Sequence, residues 1–271
     1  MTWIGLVVGN SRFHWGLFQE DSLVHQWDTP HCSEPELQEL HKGGFAESVW
    51  ARLGIHYPQD CLPHVNQQPE LWIATVVDTA LEGLISYPQL NMVERRFIPL
   101  EGLYDTVGVD RALSLLGAGE QCGWPVLVID CGTALTFTAG VKDFHSSRGA
   151  LRGGAILPGL GLQFRALAEF TDRLPAVNYR EIVWPQRWET TTQGAIASGI
   201  LHTQLAGIRD FLQDWWRHYP KGKAVFTGGD GATIVNALNS HGPPLFGPVY
   251  LEQTLAFLGL SAYRRAQLKD R

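Results

Sequence analysis

The sequence predicts an α/β protein in which one small unit occurs twice. Residues 126–138, VLVIDCGTALTFT, read as strand, tight turn, strand. Residues 2–18 read the same way, with Gly9-Asn10-Ser11 as the turn. Later, residues 224–226 form a short buried strand that runs into Thr227-Gly228-Gly229-Asp230-Gly231 and then a helix. Two glycine turns with polar and hydroxyl side chains, each near the start of a half, point to a duplicated fold with a phosphate clamp between the halves.

The 271 residues suffice for one large or two medium domains. Apolar residues make up 45% and charged residues 18%, the balance of a globular chain. The formal net charge is −6 and no Lys/Arg cluster exceeds a few residues, so no nucleic-acid partner is expected. No apolar run reaches about 18 residues, so no membrane span is expected. The N-terminus lacks the basic-then-apolar pattern of a signal peptide. Cys32, Cys61, Cys122 and Cys131 form no CxxC and read as free thiols in a reducing cytoplasm, with Cys131 a small filler in its turn.

Taken in order, residues 2–8 and 12–18 are strands. Phe13, Trp15 and Leu17 share one face of the second; Arg12, His14 and Gly16 share the other. Residues 23–27 complete a meander. Ser33 caps a helix reaching about His41, Glu36 completes a capping box, and Gly43-Gly44 ends it. Residues 48–53 look strand-like, and 54–70 read as a proline loop. His56, Cys61 and His64 fall there; three candidate zinc ligands without a fourth favour an ordinary loop. A strand over 71–77 and a short helix over 79–86 follow, then Arg95-Arg96 as a solvated pair. A helix runs over 111–119, and the domain division is expected between 119 and 125.

In the second half, 142–149 is a polar loop and 151–156 a strand with Gly153-Gly154. Pro158-Gly159 leads into a helix over 160–169. Residues 175–188 read as loop. Thr190, Thr191 and Thr192 precede the strongest helix, whose buried face is Ile200, Leu201, Leu205, Ile208, Leu212 and Trp215. A helix starts near Ala232, and a final helix is expected over 250–265.

Several of these residues suit chemistry. Asp130 beside Gly132 and Thr133 offers a carboxylate for a cation and backbone N–H groups for an anion; an ordinary hairpin with a solvated Asp fits the same residues. Asp110, at a helix head, is either favoured there by the helix dipole or aimed into a cleft as a general base, with Arg111 beside it as an anion partner. A threonine at the start of the long helix caps it or holds a ligand's polar group. Thr227–Gly231 is not a GxxxxGK[ST] loop, so it is not a P-loop.

Six motifs in this order resemble type III pantothenate kinase, of the acetate and sugar kinase/Hsc70/actin superfamily. They are GNSR at 9–12, GVDR at 108–111, DCGTA at 130–134, GG.ILPG at 153–159, TTQGAI at 191–196 and TGGD at 227–230. The resemblance implies an α/β fold of two ribonuclease H-like domains, 1–120 and 121–271. Each would be a mixed five-stranded sheet flanked by helices, with a cleft between them. It implies phosphorylation of pantothenate to 4′-phosphopantothenate by ATP, the first step toward coenzyme A. It also implies Mg²⁺, a monovalent cation (K⁺ or NH₄⁺), and a cytoplasmic homodimer with pantothenate near the subunit interface.

Carried over by motif, Asp110 resembles the catalytic base, and Gly108, Val109, Asp110 and Arg111 the substrate turn, with Thr192 also toward pantothenate; the family's aromatic substrate contact upstream of GVDR has no clean match, and Tyr104 is the nearest candidate. Val7, Val8, Gly9, Asn10, Ser11, Arg12, Phe13 and His14 resemble the ATP turn, Thr133 a phosphate contact, and Gly228 and Gly229 the border of the adenosine. Asp130 resembles the monovalent-cation ligand. The chain departs from the pattern at Val7, where an Asp is usual, at His14, where Lys is common, and at Thr138, where another Asp often stands. Val7 motivates the alternative of a catalytically weak, nucleotide-binding regulatory relative. A sugar or acetate kinase of the same superfamily would lack the GVDR turn.

Overall fold

The computed structural model describes residues 1–58, 68–76, 78–146 and 148–269. The candidate zinc ligands Cys61 and His64 lie outside the described residues, and among those described no group of three His, Cys, Asp or Glu side chains is placed to hold a metal ion. Two compact units emerge. One comprises Met1–Gln121, Asp143–Ala150 and the chain from Thr254 onward; the other comprises Cys122–Lys142 and Leu151–Gln253.

The first unit opens with strands β1 (Thr2–Val8), β2 (Phe13–Gln19) and β3 (Ser22–Thr29), an antiparallel meander. Helices α1 (Glu34–Lys42) and α2 (Glu47–Leu53) follow. Strands β4 (Glu70–Thr75) and β5 (Leu90–Met92) add in parallel, giving the sheet order β3-β2-β1-β4-β5. The short β6 (Leu100–Glu101) and helix α3 (Val109–Cys122) complete this stretch. The Glu36 carboxylate accepts from the Ser33 N–H at 2.6 Å, as the expected capping box requires.

The second unit holds β7 (Val126–Cys131), β8 (Ala134–Lys142) and most of β9 (Gly149–Pro158). Then come α4 (Leu160–Glu169), α5 (Thr192–His218), β10 (Lys223–Thr227), α6 (Gly231–Ser240) and β11 (Val249–Leu251). Its sheet runs β11-β10-β7-β8-β9, and β6 pairs in parallel with Gly149 and Ala150 at the start of β9. Counted from its own first strand, each unit has the order 3-2-1-4-5. The duplication read from the two glycine turns is therefore a duplication of topology, and in each unit the turn joins strands 1 and 2.

Helix α7 (Leu255–Lys269) returns to the first unit. Gly5 and Gly16 face each other across β1 and β2. A Cβ at Gly5 would stand 2.8 Å from a Leu260 methyl, and one at Gly16 2.9 Å from the Phe257 ring. The glycine pair is a groove for α7 and joins that helix to the first unit. The opposite face of that sheet carries an aromatic core in which Trp15 and Trp27 both meet the Trp50 ring edge-on, at 5.1 and 5.7 Å. In the second unit the expected α5 face, Ile200, Leu201, Leu205, Ile208, Leu212 and Trp215, is buried.

Three expectations are corrected. Residues 48–53 belong to helix α2, not a strand: Val49 and Trp50 are buried, and Gly54, at φ +66°, closes the helix, its N–H donating to the Ala51 carbonyl while the Ile55 N–H donates to the Trp50 carbonyl. The short helix expected over 79–86 is a 3₁₀ turn, Asp78–Leu84. The helix expected from residue 250 begins at Leu255, because Val249–Leu251 pairs with β10 as strand β11.

Candidate functional site

In the first unit, the turn after β1 closes with the Gly9 N–H donating to the Arg12 carbonyl at 3.0 Å. Asn10, Ser11 and Arg12 are exposed at its tip, while Phe13 returns to the core. Val8 is fully buried, and Val7, 5% exposed, lies between Ala74 and His14 in the sheet. The Val8 carbonyl accepts from the Val76 N–H at 3.4 Å, and a Cβ at Gly108 would lie 3.8 Å from a Val76 methyl. The first turn and the 108–111 turn are thus brought to one end of this sheet.

Val109 and Asp110 begin α3. Asp110 Oδ1 accepts from the Arg111 N–H at 2.7 Å, which fixes the carboxylate at the helix head. A Cβ on Gly108 would collide with the same oxygen, so this position holds only a glycine beside that carboxylate. Burial raises the Asp110 carboxyl above its ordinary value; the Arg111 N–H and charge oppose the shift but do not cancel it. Arg111 is 8% exposed and donates from Nη1 to the Tyr104 hydroxyl at 3.1 Å. Tyr104 therefore sits with the GVDR residues.

In the second unit, Asp130 and Cys131 end β7 and Gly132-Thr133 turn the chain into β8, the Gly132 N–H donating to the Ala134 carbonyl at 3.1 Å. The GG.ILPG motif serves this turn: the Gly159 N–H donates to the Thr133 carbonyl at 3.0 Å. The TGGD segment wraps its other side. Thr227 is the register partner of Asp130, and the Asp230 N–H donates to the Cys131 carbonyl at 2.9 Å. Gly228 has φ +84°, and a Cβ there would collide with Asp130 Oδ1 and the Cys131 backbone. Burial and the charges of Asp130 and Asp230 push the Cys131 thiol far up, leaving it a protonated filler.

Gly229 and Thr133 are exposed beside this arrangement. Thr191, not Thr192, caps α5, accepting from the Gly194 N–H at 3.1 Å. The exposed Thr192 hydroxyl is thereby spared the capping role. Thr138 is buried on β8, opposite Val128.

Two partners were not assigned from the sequence. Asp230, quoted within TGGD without a role, accepts from the Tyr179 hydroxyl at 3.2 Å on both oxygens, and burial raises its carboxyl. Asp28 on β3 accepts from His14. The TGGD motif held a signal for the first; the second depends on strand register.

As to cations, the Asp130 carboxylate stands on this turn with Gly228 packed against its Oδ1, and an oxygen ligand of this kind suits a weakly demanding monovalent ion. It does not offer a cage for Mg²⁺, which keeps waters and leans on phosphates.

The model of the type III pantothenate kinase family matches residues 4–214. The chain is 40% identical over 262 residues to a type III pantothenate kinase of Nostoc sp. (strain PCC 7120), covering 95% of this chain and 92% of that relative. It is 36% identical over 273 residues to one of Synechococcus elongatus, covering 100% and 99%. Among solved structures, the activator of 2-hydroxyisocaproyl-CoA dehydratase from Clostridium difficile with bound ADPNP matches with a TM-score of 0.51 and 11% identity, over 100% of this chain and 97% of that one; this is a likeness of fold alone. With the family model and nearly full-length relatives in agreement, the chain is an ATP-dependent phosphotransferase that belongs to the type III pantothenate kinase family.

Proposed function

We propose that Asp110 is the catalytic base of pantothenate phosphorylation. The observation that carries this is a carboxylate fixed at a helix head by the Arg111 N–H, with its affinity for a proton raised by burial. In this reading Asp110 accepts the proton of the primary hydroxyl of pantothenate. The hydroxyl oxygen forms a bond to the γ-phosphorus of ATP as the bond to the bridging oxygen breaks, and ADP leaves. Arg111 and the N–H groups of the Gly9–Arg12 turn offset charge on the transferring group. Gly108, Val109, Arg111, Tyr104 and Thr192 orient pantothenate; Thr133 contacts phosphate; Gly228 and Gly229 border the adenosine.

Asp130 would hold the monovalent cation, and Mg²⁺ would rest on ATP phosphates; bound, both supply positive charge to the polyphosphate. No helix among the described residues is long and apolar enough to cross a membrane. A cytoplasmic homodimer belongs to the same reading, supported by the family resemblance and by the exposed apolar side chains Phe170, Val183 and Trp188.

The test is purified protein with ATP, Mg²⁺, K⁺ and radiolabelled pantothenate, against a no-enzyme control. Labelled 4′-phosphopantothenate is the expected product, and turnover should fall when K⁺ is replaced by a bulky organic cation at constant ionic strength. Val7, in place of the usual carboxylate, favours one second reading, a nucleotide-binding regulatory relative. ATP binding without any phosphorylation would select it.

A further inference from the structure

The strand that leaves the first turn carries a histidine held from the neighbouring strand. Val7 pairs with His14 across β1 and β2, and His14 pairs with Asp28 across β2 and β3. Cross-strand partners share a face, so the three side chains form one row at the end of the sheet that bears the turn. His14 Nδ1 meets Asp28 Oδ1 at 2.7 Å. The other edge of the ring lies against the turn, where a Cβ at Gly9 would stand 3.5 Å from His14 Nε2. Arg12 adds its charge beside Asp28, and His31 Nε2 meets the Gly9 carbonyl at 2.8 Å. Val7, on β1, contributes no charge. The hydrogen bond from His14, ahead of the charges of His14 and Arg12, holds the Asp28 carboxyl below its ordinary value despite partial burial.

We propose that Asp28 is a positioning residue for the nucleotide, holding His14 as an imidazolium whose Nε2–H donates to the polyphosphate of ATP. This rests on the reading of residues 7–14 as the ATP turn. The proton count of the ring decides which nitrogen can donate. A carboxylate on Nδ1 requires the ring proton there, so a neutral His14 would turn the lone pair of Nε2 toward an anion. Only the imidazolium donates from both nitrogens. In that form Asp28 on one side and a phosphate oxygen on the other each have an N–H to accept from, and the ring is fixed between them.

The pair is well exposed, with side chains 41% and 50% accessible, so it contributes little to folding and its variants should fold. Four proteins are compared: wild type, Asp28→Asn, His14→Lys and the double variant. Mg²⁺-ATP binding is measured by calorimetry without pantothenate, and KM and kcat are measured from mildly acidic to alkaline pH at saturating Mg²⁺. Asp28→Asn should weaken ATP binding and raise KM for ATP about tenfold, the loss of one charge-assisted contact, with kcat near wild type. KM for ATP should rise with pH in the wild type and stay flat in His14→Lys, where Asp28→Asn should add no further loss. Equal losses from Asp28→Asn in both backgrounds, no loss at all, or a pH-independent wild-type KM would overturn the proposal. A wild type that binds ATP without phosphorylating pantothenate sinks the catalytic reading alone, since calorimetry still decides this one; a wild type that binds no ATP sinks both.

Discussion

Arg111 Nη1 and the Tyr104 hydroxyl are 3.1 Å apart, joining a buried guanidinium to a ring that is 45% exposed. The bond gives Tyr104 a fixed place next to the GVDR turn. Tyr104→Phe keeps the ring and deletes the hydroxyl. A threefold to tenfold rise in KM for pantothenate is expected, roughly the net worth of one ordinary hydrogen bond, with KM for ATP unchanged. Steady-state kinetics in both substrates check this; an unchanged pantothenate KM would remove Tyr104 from the substrate side.

Gly108 and Asp110 allow a sharper test. A methyl group at residue 108 would occupy the space of Asp110 Oδ1, so Gly108→Ala must turn the carboxylate away from its place. Misplacing a catalytic group by about 1 Å can cost roughly 100-fold in rate. The expected result is a fall in kcat of that order with little change in the circular dichroism spectrum or melting temperature. Full activity in Gly108→Ala would show that the position of Asp110 is immaterial.

How much of this was legible in the sequence follows from which contacts are local. The two glycine turns, the capping box of α1 and the α5 face were readable because each depends on residues a few positions apart. The strand read over 48–53 was wrong because Val49 and Trp50 favour strands locally, while Gly54 and tertiary burial favour a helix. Helix α7 could be assigned to a unit only through long-range contacts such as the Gly5–Gly16 groove, which joins residues more than 240 positions apart in the chain. Asp28 was hidden by a bulge. Gln19–Ser22 and Phe18–Leu23 set the hairpin register, but it shifts by one residue between Leu17 and Phe18. Without that shift His14 would face Trp27; with it, His14 faces Asp28. The site motifs were legible as motifs, whereas the holders of their side chains were not.

The raised Asp110 carboxyl fixes the sign of two pH effects. Protonated, Asp110 cannot accept the substrate proton, so kcat/KM should fall with decreasing pH along an acid limb above the ordinary carboxylate value of 3.8. Asp110→Asn should lower the rate about 10²–10⁴-fold and abolish that limb. Stability runs the other way. The folded state holds this proton more tightly than the unfolded chain, so ionising Asp110 costs stability as pH rises from 3.8 through the folded value. At neutral pH Asp110→Asn should therefore melt at a higher temperature than wild type while losing activity. A variant that loses activity and melts lower would contradict the assigned direction.

Val7 tests the departure itself. Its side chain is 5% exposed between Ala74 and His14. Val7→Asp would bury a carboxylate there, at a cost above the roughly 1–3 kcal/mol of an unpaired neutral polar group if it found no partner. His14 is the nearest basic group in the row, but it already serves Asp28. The new carboxylate would compete for that ring, and the melting temperature should fall modestly. Mg²⁺ needs few protein carboxylates when phosphates and waters complete its shell, so the wild type should work with a high Mg²⁺ requirement. If a carboxylate at residue 7 supports the ion through water, Val7→Asp should halve the half-saturating Mg²⁺ concentration or better, at an unchanged KM for pantothenate. A Mg²⁺ titration of both proteins, paired with thermal melts, decides between outcomes. A folded Val7→Asp protein with the wild-type Mg²⁺ requirement would mean that residue 7 has no part in metal support in this chain. A lower Mg²⁺ requirement together with a raised KM for ATP would mean that the new carboxylate gains the ion at the expense of His14.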